Sequence, residues 1–471
     1  MPSLVWFRRD LRTNDNTALY HACTSSKDAV IGVYAITPGQ WKMHNDANCK
    51  IGFWLENLKL LSDSLAKLNI PLLIIKCETF DQSVTEILKL TRKHKIGAIY
   101  VNKEYEVNET RRDSDLKNAC AKKGIEFYSF HDRVVVPPRE ISTKEGKFYS
   151  VFTPYRKNWD SRALEYSKLF PKPRKRDETL IEPDGIPSKV TGFDLGDFRD
   201  DLWPAGEEEA NKRIRHFAKH ISGYDTNRDL PSVNGTSLLS PYLTAGVISP
   251  RQCLNAALEV NSEKIAMASG PTTWISELTW RDFYTHVMVG FPRVSMNRPF
   301  KQKTDGIGWR KDVADFQAWK TGQTGYPIVD AGMRQLNQTG WMHNRLRMVT
   351  AMFLSKHLLI DWRMGEEYFM NRLIDGDLAA NNGGWQWSAS TGTDAVPYFR
   401  IFNPFSQSKR FDCDGKYIKK FCPELENIPA SALHDAKKLA AALNERSAEY
   451  PEFIVDHKSA RERVLEEFKS L

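Results

Sequence analysis

Two local patterns alternate over the first 130 residues, and this alternation limits the possible folds more than any other feature. Short runs rich in β-branched and aromatic residues lie at Leu4–Phe7, Ala29–Ile36, Leu72–Lys76, Ala98–Asn102 and Ile125–Phe130. Helical periodicity occupies the stretches between them, at Leu19–Thr24, Asn48–Leu68, Ser83–Lys93 and Glu109–Lys122. Strands that alternate with helices predict βαβ units on a parallel, Rossmann-like sheet. The glycine-rich dinucleotide and triphosphate motifs are absent, so this fold class does not by itself indicate a function.

The rest of the chain has a different pattern. Residues 131–204 are rich in proline and carry a basic cluster at Lys172–Arg176, which predicts a long connection over the surface. Helical periodicity then dominates at Glu207–Ile221, Pro250–Ala256, Pro271–Met288, Val313–Lys320, Tyr326–Thr339, Asn344–Leu359, Glu366–Leu373 and Ser431–Leu443. We therefore predict an α/β domain at 1–130, a connection at 131–204 and an all-α domain at 205–471.

Composition narrows the class of protein. With 41% hydrophobic and 27% charged residues in 471, the chain is an ordinary globular protein of more than one domain. Its longest apolar stretch, Ile70–Ile75, is too short to cross a bilayer, and Arg8–Asp10 interrupt the first apolar run where a secretory signal would lie. Seven scattered cysteines without a C-x-x-C pair argue against disulfides and zinc and favour the cytoplasm.

Two further features bear on function. The formal net charge of +8 suits a polyanionic partner, although many basic enzymes never bind nucleic acid. Eight of the 13 tryptophans lie between Trp274 and Trp387. Large aromatic residues usually fill cores, but this density also suits a flat aromatic ligand.

Three segments are dense in polar and aromatic groups. Asp375–Trp387 (DGDLAANNGGWQW) combines acids, amides, glycines and tryptophans, and is either a capped helix start with an aromatic plug or a binding segment. In Gly340–Met348 (GWMHNRLRM), helical spacing would place Asn344, Arg347 and Met348 on one face. The hydroxyls of Gly235–Pro241 (GTSLLSP) either cap a helix or hold a pyrophosphate at its start.

Together with Val5–Arg12 (VWFRRDLR) and Arg400–Pro404 (RIFNP), these segments resemble the photolyase/cryptochrome family, most closely its microbial class I cyclobutane pyrimidine dimer photolyases of the folate type. The resemblance covers almost the whole chain. It implies an N-terminal α/β domain, a long loop and an all-α C-terminal domain that binds FAD. It also implies light-driven repair of pyrimidine dimers in DNA, in which excited reduced FAD donates an electron to a flipped-out dimer and recovers it.

The resemblance assigns roles to individual residues. The positions that match FAD contacts are Tyr224, Thr236, Ser237, Leu238, Leu239, Ser240, Trp274, Glu277, Arg281, Trp341, Asn344, Arg347, Asp375, Asp377 and Asn381, with Asn381 facing flavin N5. The positions that match the dimer pocket or DNA contacts are Arg228, Glu277, Trp280, Asn344, Arg345, Met348, Trp387 and Gln407. Without the resemblance, Trp280 and Met348 are interpreted as core residues. Trp385, Trp362 and Trp309 match an electron-transfer chain to oxidised flavin, although their spacing alone favours a core role.

An antenna site is implied in the α/β domain. His44, Asn108 and Glu109 match contacts to a methenyltetrahydrofolate antenna. Met296 stands where a lysine is expected near the folate tail, and losing that cation predicts weaker folate binding.

Other functions compete with this prediction. A cryptochrome would signal without repair, but the dimer-pocket residues are all present and the sequence after Asn403-Pro404 is charged and helical, without low complexity. A photolyase for (6-4) photoproducts would need a histidine pair where this chain has Asn344 and Met348. A DNA-binding flavoprotein without catalysis is a third possibility. We further expect a monomer without a metal ion.

Overall fold

A five-stranded parallel sheet organises the first part of the molecule. The computed structural model describes residues 1–177, 179–262, 264–265, 269–446 and 449–471. The strands are β1 (Ser3–Phe7), β2 (Val30–Ile36), β3 (Leu72–Lys76), β4 (Ala98–Asn102) and β5 (Glu126–Phe130). Their order across the sheet is β3-β2-β1-β4-β5, with β1 central and every pair parallel. The predicted doubly wound α/β domain is therefore confirmed, and each predicted strand lies within one residue of its observed bounds.

Helices connect the strands of this sheet. They are α1 (Thr17–Ser25), α2 (Pro38–Met43), α3 (Asn48–Ala66), α4 (Phe80–Lys93) and α5 (Val107–Ala121). Local chemistry explains their ends: the Thr79 side chain accepts a hydrogen bond from the Gln82 amide at the start of α4, and Arg92 and Lys93 lie in its last turn. Apolar residues of the strands and of α4 and α5 form a buried cluster around Trp6, Ile31 and Ile99.

The predicted connection at 131–204 contains a helix that the sequence analysis missed. This helix, α6 (Phe152–Arg162), lies between long segments without regular structure. Its apolar positions are few and its charged residues many, so the sequence carries little amphipathic signal. Helix formation here depends on packing, because Phe152, Tyr155 and Trp159 are buried.

After residue 204 the regular secondary structure of the described residues is helical, apart from one isolated bridge between Arg310 and Ile360. The helices are α7 (Glu207–Ala218), α8 (Tyr224–Asn227), α9 (Ser240–Ala245), α10 (Pro250–Val260), α11 (Gly270–Gly290), α12 (Val313–Thr321), α13 (Pro327–Thr339), α14 (Asn344–Met352), α15 (Trp362–Met370), α16 (Leu378–Ser388), α17 (Pro404–Phe411), α18 (Lys416–Phe421), α19 (Ala430–Leu433), α20 (Ala436–Arg446) and α21 (His457–Lys469). The all-α prediction is confirmed.

Two predicted helices are divided in the structure. The stretch predicted at 344–359 forms α14 followed by a π-helical turn at Phe353–His357. The stretch predicted at 431–443 divides into α19 and α20. The division occurs because the Asp435 carboxylate accepts hydrogen bonds from the amides of Lys437 and Lys438, both at 3.0 Å, and so begins a new helix.

The chain divides into two compact units that do not follow its linear order. Unit 1 comprises Met1–Ser222, Ser237–Pro292 and Ile374–Ala379, and unit 2 comprises Gly223–Thr236, Arg293–Leu373 and Ala380–Leu471. The boundaries predicted at residues 130 and 204 remain a prediction. Within the described residues, no helix is both long and apolar enough to cross a membrane.

Candidate functional site

Helix α11 of unit 1 carries four of the predicted site residues. Ser269 caps its start, accepting a hydrogen bond from the Thr272 amide. Trp274, Glu277 and Arg281 follow at intervals of three and four residues and therefore share one face, with Trp280 beside it. Trp274 is buried against Phe217, and a guanidinium nitrogen of Arg281 donates to the carbonyl of Arg133. The helix thus presents an acid, a cation and two indoles from one rigid element.

The Asp375–Asp377 turn of unit 1 is fixed by polar contacts on every residue. Thr244 Oγ1 donates to the Asp375 carbonyl at 3.2 Å. Lys50 Nζ donates to the Gly376 carbonyl at 2.6 Å. Arg133 Nη2 lies 2.7 Å from Asp377 Oδ2. Burial would raise the pKa of Asp377, but the guanidinium groups of Arg133 and Arg281 outweigh it and lower that pKa, so Asp377 is a carboxylate.

The stretch from Thr236 to Ser240 leads into the short helix α9. The sequence left open whether its hydroxyls cap this helix. The residue at the helix cap is Leu239, whose side chain makes no cap hydrogen bond, so the cap position itself carries no hydroxyl. Leu238 adopts a positive φ of 51°. Residues with a side chain rarely adopt such an angle, asparagine and aspartate being the most frequent exceptions. A backbone turn of this kind needs support from its surroundings.

The three predicted antenna residues lie together in unit 1. The His44 Nε2 atom is 3.0 Å from the Asn108 amide nitrogen, and its Nδ1 atom is 3.6 Å from Glu109 Oε1. Because Nε2 accepts from the amide, the proton of a neutral His44 lies on Nδ1 and faces the Glu109 carboxyl.

Glu109 itself is buried, and its Oε2 atom has no hydrogen-bond partner among the described residues. Burial and the neighbouring Glu106 carboxylate raise the pKa of Glu109 to about 8. A buried carboxyl with an unmatched oxygen is expensive unless a ligand completes its hydrogen bonds. The Glu109 oxygen is therefore suited to contact a bound polar molecule.

Helix α14 of unit 2 begins where the sequence predicted a chemically dense face. His343 precedes it, and its Nδ1 accepts a hydrogen bond from the Arg345 amide at 3.2 Å. Asn344, Arg347 and Met348 lie on one helical face, as their spacing predicted. The Arg347 Nε donates to the Met342 carbonyl at 2.8 Å, which fixes the side chain close to its own helix.

Arg345 has a partner that the sequence did not reveal. Its Nη2 atom lies 2.7 Å from Asp229 Oδ1, and its guanidinium carbon is 4.2 Å from the centre of the Phe411 ring. Arg228, beside Asp229, packs over Tyr224 with its guanidinium carbon 5.4 Å from the ring centre. Arg228 Nε also lies 3.9 Å from Asp229 Oδ1, so two of the predicted DNA-binding cations approach the same carboxylate oxygen.

The remaining predicted site residues of unit 2 are described mainly by their burial. Trp341 and Trp387 are half-buried. Gln407, in α17, has a buried Oε1 atom without a hydrogen-bond partner among the described residues. Met296, the position where a lysine was expected, is 60% exposed.

Asn381 is held by an acid that the sequence analysis missed. Its Nδ2 atom donates to the backbone carbonyl of Glu366 at 3.0 Å and to Glu366 Oε1 at 3.1 Å. Burial raises the pKa of Glu366 to about 7, and the bond from Asn381 partly opposes that rise. With its nitrogen bound in this way, Asn381 has its Oδ1 left to accept a hydrogen bond.

The three predicted electron-transfer tryptophans meet in the core of unit 2. Trp385 and Trp362 are buried in one apolar cluster, and Trp309 packs against it. A Cβ atom at Gly365 would lie 2.2 Å from Trp385 Cη2, so only glycine lets the indole pack against α15. Trp385 also contacts Phe369 and Trp319, with ring centres 4.9 and 6.0 Å apart. Sequence spacing gave no indication of this grouping.

Comparison with known proteins decides the family. The DNA photolyase model matches residues 3–174, and the model for the FAD binding domain of DNA photolyase matches residues 274–470. The deoxyribodipyrimidine photo-lyase of Escherichia coli is 43% identical over 469 residues, covering 99% of this chain and 98% of that protein. This chain belongs to the DNA photolyase family. The resemblance found in its sequence is confirmed.

Solved photolyase-family structures support the same fold. A bacterial class III photolyase from Agrobacterium tumefaciens matches with a TM-score of 0.87 at 35% identity, covering 100% of this chain and 97% of that one. A cryptochrome from Synechocystis matches with a TM-score of 0.88 at 28% identity, covering 99% of each chain. Fold alone therefore does not distinguish the repairing members of the family from cryptochromes.

Three residues of this photolyase-family chain contact predicted site residues of their own unit from other parts of the sequence. They are Lys50, Asp229 and Glu366, which contact Gly376, Arg345 and Asn381 respectively. No sequence motif marked these three residues, and only the contacts in the folded structure reveal their roles.

Proposed function

We propose that this protein is a deoxyribodipyrimidine photo-lyase, a light-driven enzyme that splits cyclobutane pyrimidine dimers in DNA. The observation that carries the proposal is identity of 38–43% over nearly the full chain to proteins named deoxyribodipyrimidine photo-lyase, several of them bacterial. Both halves of the chain also match photolyase family models. No observation favours the cryptochrome alternative.

FAD is the cofactor of the proposed reaction, and the donor chemistry fits it. Hydroxyls and arginines suit a pyrophosphate, and a neutral amide suits the flavin ring. Nε2 of the buried His343 has no hydrogen-bond partner among the described residues, which a bound ligand would supply. We assign FAD binding to Tyr224, Thr236, Ser237, Leu238, Leu239, Ser240, Trp274, Glu277, Arg281, Trp341, Asn344, Arg347, Asp375, Asp377 and Asn381. Reduced FAD, when bound, absorbs blue or near-ultraviolet light and supplies the electron that opens the cyclobutane ring and is then returned.

Asn381 contributes by being neutral and oriented. Its Nδ2 is committed to Glu366, so its Oδ1 is directed away from that acid and accepts a hydrogen bond from the flavin. An amide adds no charge beside an anionic ring. A carboxylate 4 Å away would repel such an anion by about 4 kcal/mol at an effective dielectric constant near 20.

The damaged bases must leave the duplex to react, and the chain offers surfaces for them. Enzymes that act on bases inside a duplex extrude the target and stack it on aromatic side chains. We assign Trp280 and Trp387 to this stacking, and Glu277 and Met348 to contacts with the dimer itself. Arg228, Asn344, Arg345 and Gln407 contact the DNA. Glu277 hydrogen-bonds a pyrimidine carbonyl and must carry a proton, or share one, to do so.

The buried tryptophans of unit 2 have a separate task. We propose that Trp385, Trp362 and Trp309 carry electrons to oxidised flavin, which prepares the enzyme and is not part of the repair step. The support is their grouping, because Trp385 and Trp362 are buried in one apolar cluster and Trp309 packs against it.

We further propose that His44, Asn108 and Glu109 bind a methenyltetrahydrofolate antenna. The unmatched Oε2 of Glu109 supports it. Reconstitution with methenyltetrahydrofolate should add near-ultraviolet absorbance to the wild type, and less to Glu109→Gln. Glu86→Gln, at a partly exposed position of α4, is the control and should bind like the wild type. Failure of the wild type to take up folate, or uptake of a deazaflavin instead, contradicts this assignment.

We also propose that the protein works as a monomer, without a metal ion, in the cytoplasm. All seven cysteines are free thiols, which suits a reducing compartment.

Light-dependent repair tests the main proposal. Purified protein with reduced FAD is mixed with an oligonucleotide that carries one cyclobutane thymine dimer, and intact thymines are quantified in the dark and under blue light. We expect repair only under light. Binding without repair would indicate a flavoprotein without catalysis, and repair of (6-4) photoproducts alone would indicate the other photolyase class.

A further inference from the structure

Helix α6, in the segment that the sequence presents as a connection, packs along α11 in unit 1. Arg156 Nη1 donates to Ser276 Oγ at 2.8 Å. Trp159 Nε1 donates to Asp282 Oδ2 at 2.9 Å, and this carboxylate oxygen also accepts from the amides of Val135 and Val136. Helix α6 and the segment at Val135–Val136 are therefore both bound to the part of α11 that carries Trp280.

Phe152, the first residue of α6, covers one face of the Trp280 ring. The two ring centres are 3.5 Å apart and the ring planes differ by 6°. Aromatic pairs prefer offset or edge-to-face geometry with centres about 4.5–7 Å apart. The closer parallel contact therefore depends on the backbone that carries each ring, and α6 supplies that backbone on one side.

The remaining neighbours restrict Trp280 further. Phe283 meets it edge-on, with ring centres 5.7 Å apart and planes at 81°, and Tyr284 lies 5.7 Å away at 32°. Phe152 is buried while Trp280 is only half-buried. Because Phe152 occupies one face of the indole, the exposed part of Trp280 belongs to the other face and the ring edges.

We propose that Phe152 is a positioning residue for damage recognition: it backs Trp280 so that the indole offers a single, fixed face to the extruded dimer. The inference rests on the proposed function, specifically on the stacking role of Trp280. Phe152 touches neither DNA nor flavin in this proposal. Its contribution is to remove the rotamers that Trp280 would otherwise sample, so that less side-chain entropy is lost when a base stacks.

The test compares Phe152→Ala with a matched control. Phe148→Ala removes another aromatic ring that packs against α11, where it contacts His286 with ring centres 4.8 Å apart. Dissociation constants are measured in the dark for an oligonucleotide with one thymine dimer and for its intact counterpart. We expect Phe152→Ala to lower the ratio of the two constants about two- to tenfold, the usual cost of immobilising one side chain on binding. Phe148→Ala and the conservative Phe152→Tyr should keep the wild-type ratio.

A double mutant separates positioning from a general structural role. In a Trp280→Ala background, Phe152→Ala should cause no further loss of discrimination, because the ring that it positions is gone. FAD content of every variant should match the wild type. If Phe152→Ala does not fold, Phe152→Leu, which keeps volume without a flat ring, takes its place and should also lower the ratio.

The outcomes distinguish this inference from the proposed function. Loss of discrimination in Trp280→Ala but not in Phe152→Ala would overturn the positioning role and leave the proposed function intact. Wild-type discrimination in Trp280→Ala would refute the stacking assignment itself. Equal losses in Phe148→Ala and Phe152→Ala, or an added loss in the double mutant, would show that α11 has merely been loosened, and the inference would fail.

Discussion

The interiors of the two units are stabilised by different chemistry. In unit 1, a charge cluster of Arg9, Glu104, Glu106, Arg112 and Arg133 lies buried beside the sheet. Arg9 reaches Glu104 and Glu106 at 2.6 Å each, and Arg112 reaches Glu104 at 2.9 Å. The interior of unit 2 contains instead an aromatic cluster of Trp319, Trp362, Phe369 and Trp385.

This difference predicts that the two units respond differently to amino-acid substitutions. Each buried charge in unit 1 depends on a specific partner, because an uncompensated ion in a poorly solvated interior is costly. The aromatic cluster depends on shape, and it tolerates a slightly smaller ring better than the charge cluster tolerates a missing partner. Unit 1 is thus sensitive to charge and unit 2 to volume and to electron-donor chemistry. Four experiments test the contrast, in order of decreasing expected effect.

Trp385→Phe should abolish light-driven reduction of oxidised FAD, because phenylalanine is much harder to oxidise than tryptophan. Repair by chemically reduced enzyme should remain. Photoreduction is measured as the loss of oxidised-flavin absorbance under blue light with an external reductant. Repair is measured with the dimer-bearing oligonucleotide. Trp319→Phe, a neighbour in the same aromatic cluster, is the control and should photoreduce normally. Photoreduction in Trp385→Phe would show that another donor feeds the flavin.

Arg133→Ala should lower the free energy of unfolding by about 3–5 kcal/mol, because it removes one cation from beside the buried carboxylates of Glu106 and Asp377. The urea midpoint, followed by far-ultraviolet circular dichroism, measures the change. Arg162→Ala, in a more exposed pair with Glu165, should cost no more than about 1 kcal/mol. Similar small shifts in both variants would mean that the charge cluster is not a stabilising element.

Lys356 is a buried charge within unit 2 and should give that unit a distinct pH dependence. Its Nζ donates to Ser390 Oγ at 2.8 Å and to the carbonyls of Tyr398 and Arg400. Burial, and secondarily the Lys301 charge, lower its pKa to about 7 from an ordinary 10.5. Between these values the unfolded chain binds more protons, so stability should rise with pH by about 1.4 kcal/mol per unit.

Lys356→Met should remove this rise between pH 7 and 10.5, whereas Lys420→Met, at an exposed position, should retain it. Thermal midpoints across that range measure the slope. An unchanged slope in Lys356→Met would assign the pH dependence to other groups.

Arg345 provides the mildest test, because its cation is already paired. Arg345→Ala should weaken binding of dimer-bearing DNA and lower the slope of log affinity against log salt by less than about 0.9, the value for one full phosphate contact. Asp229→Asn removes the competing carboxylate and should strengthen binding. Weaker binding in Asp229→Asn would show that Asp229 orients Arg345 rather than competing with DNA.

Much of the site was predictable because the photolyase motifs are long and local. Gly340–Met348 and Asp375–Trp387 lie on short stretches of chain, so their members stay close in any fold that forms α14 and α16. The start of α9 was less predictable, since its hydroxyls suited a helix cap equally well. The partners Glu366 and Asp229 were not predictable, because no local spacing relates them to Asn381 or Arg345.

The sequence by itself determined the parallel α/β region, the helical remainder and the family. Period-two and period-3.6 patterns are properties of neighbouring residues, and motif matches need only their order along the chain. Tertiary structure alone decided that Glu366 orients Asn381, that Asp229 neutralises Arg345 and that Phe152 backs Trp280. These contacts join residues from 15 to 128 positions apart, and their energies come from burial and packing, which exist only once the elements have docked.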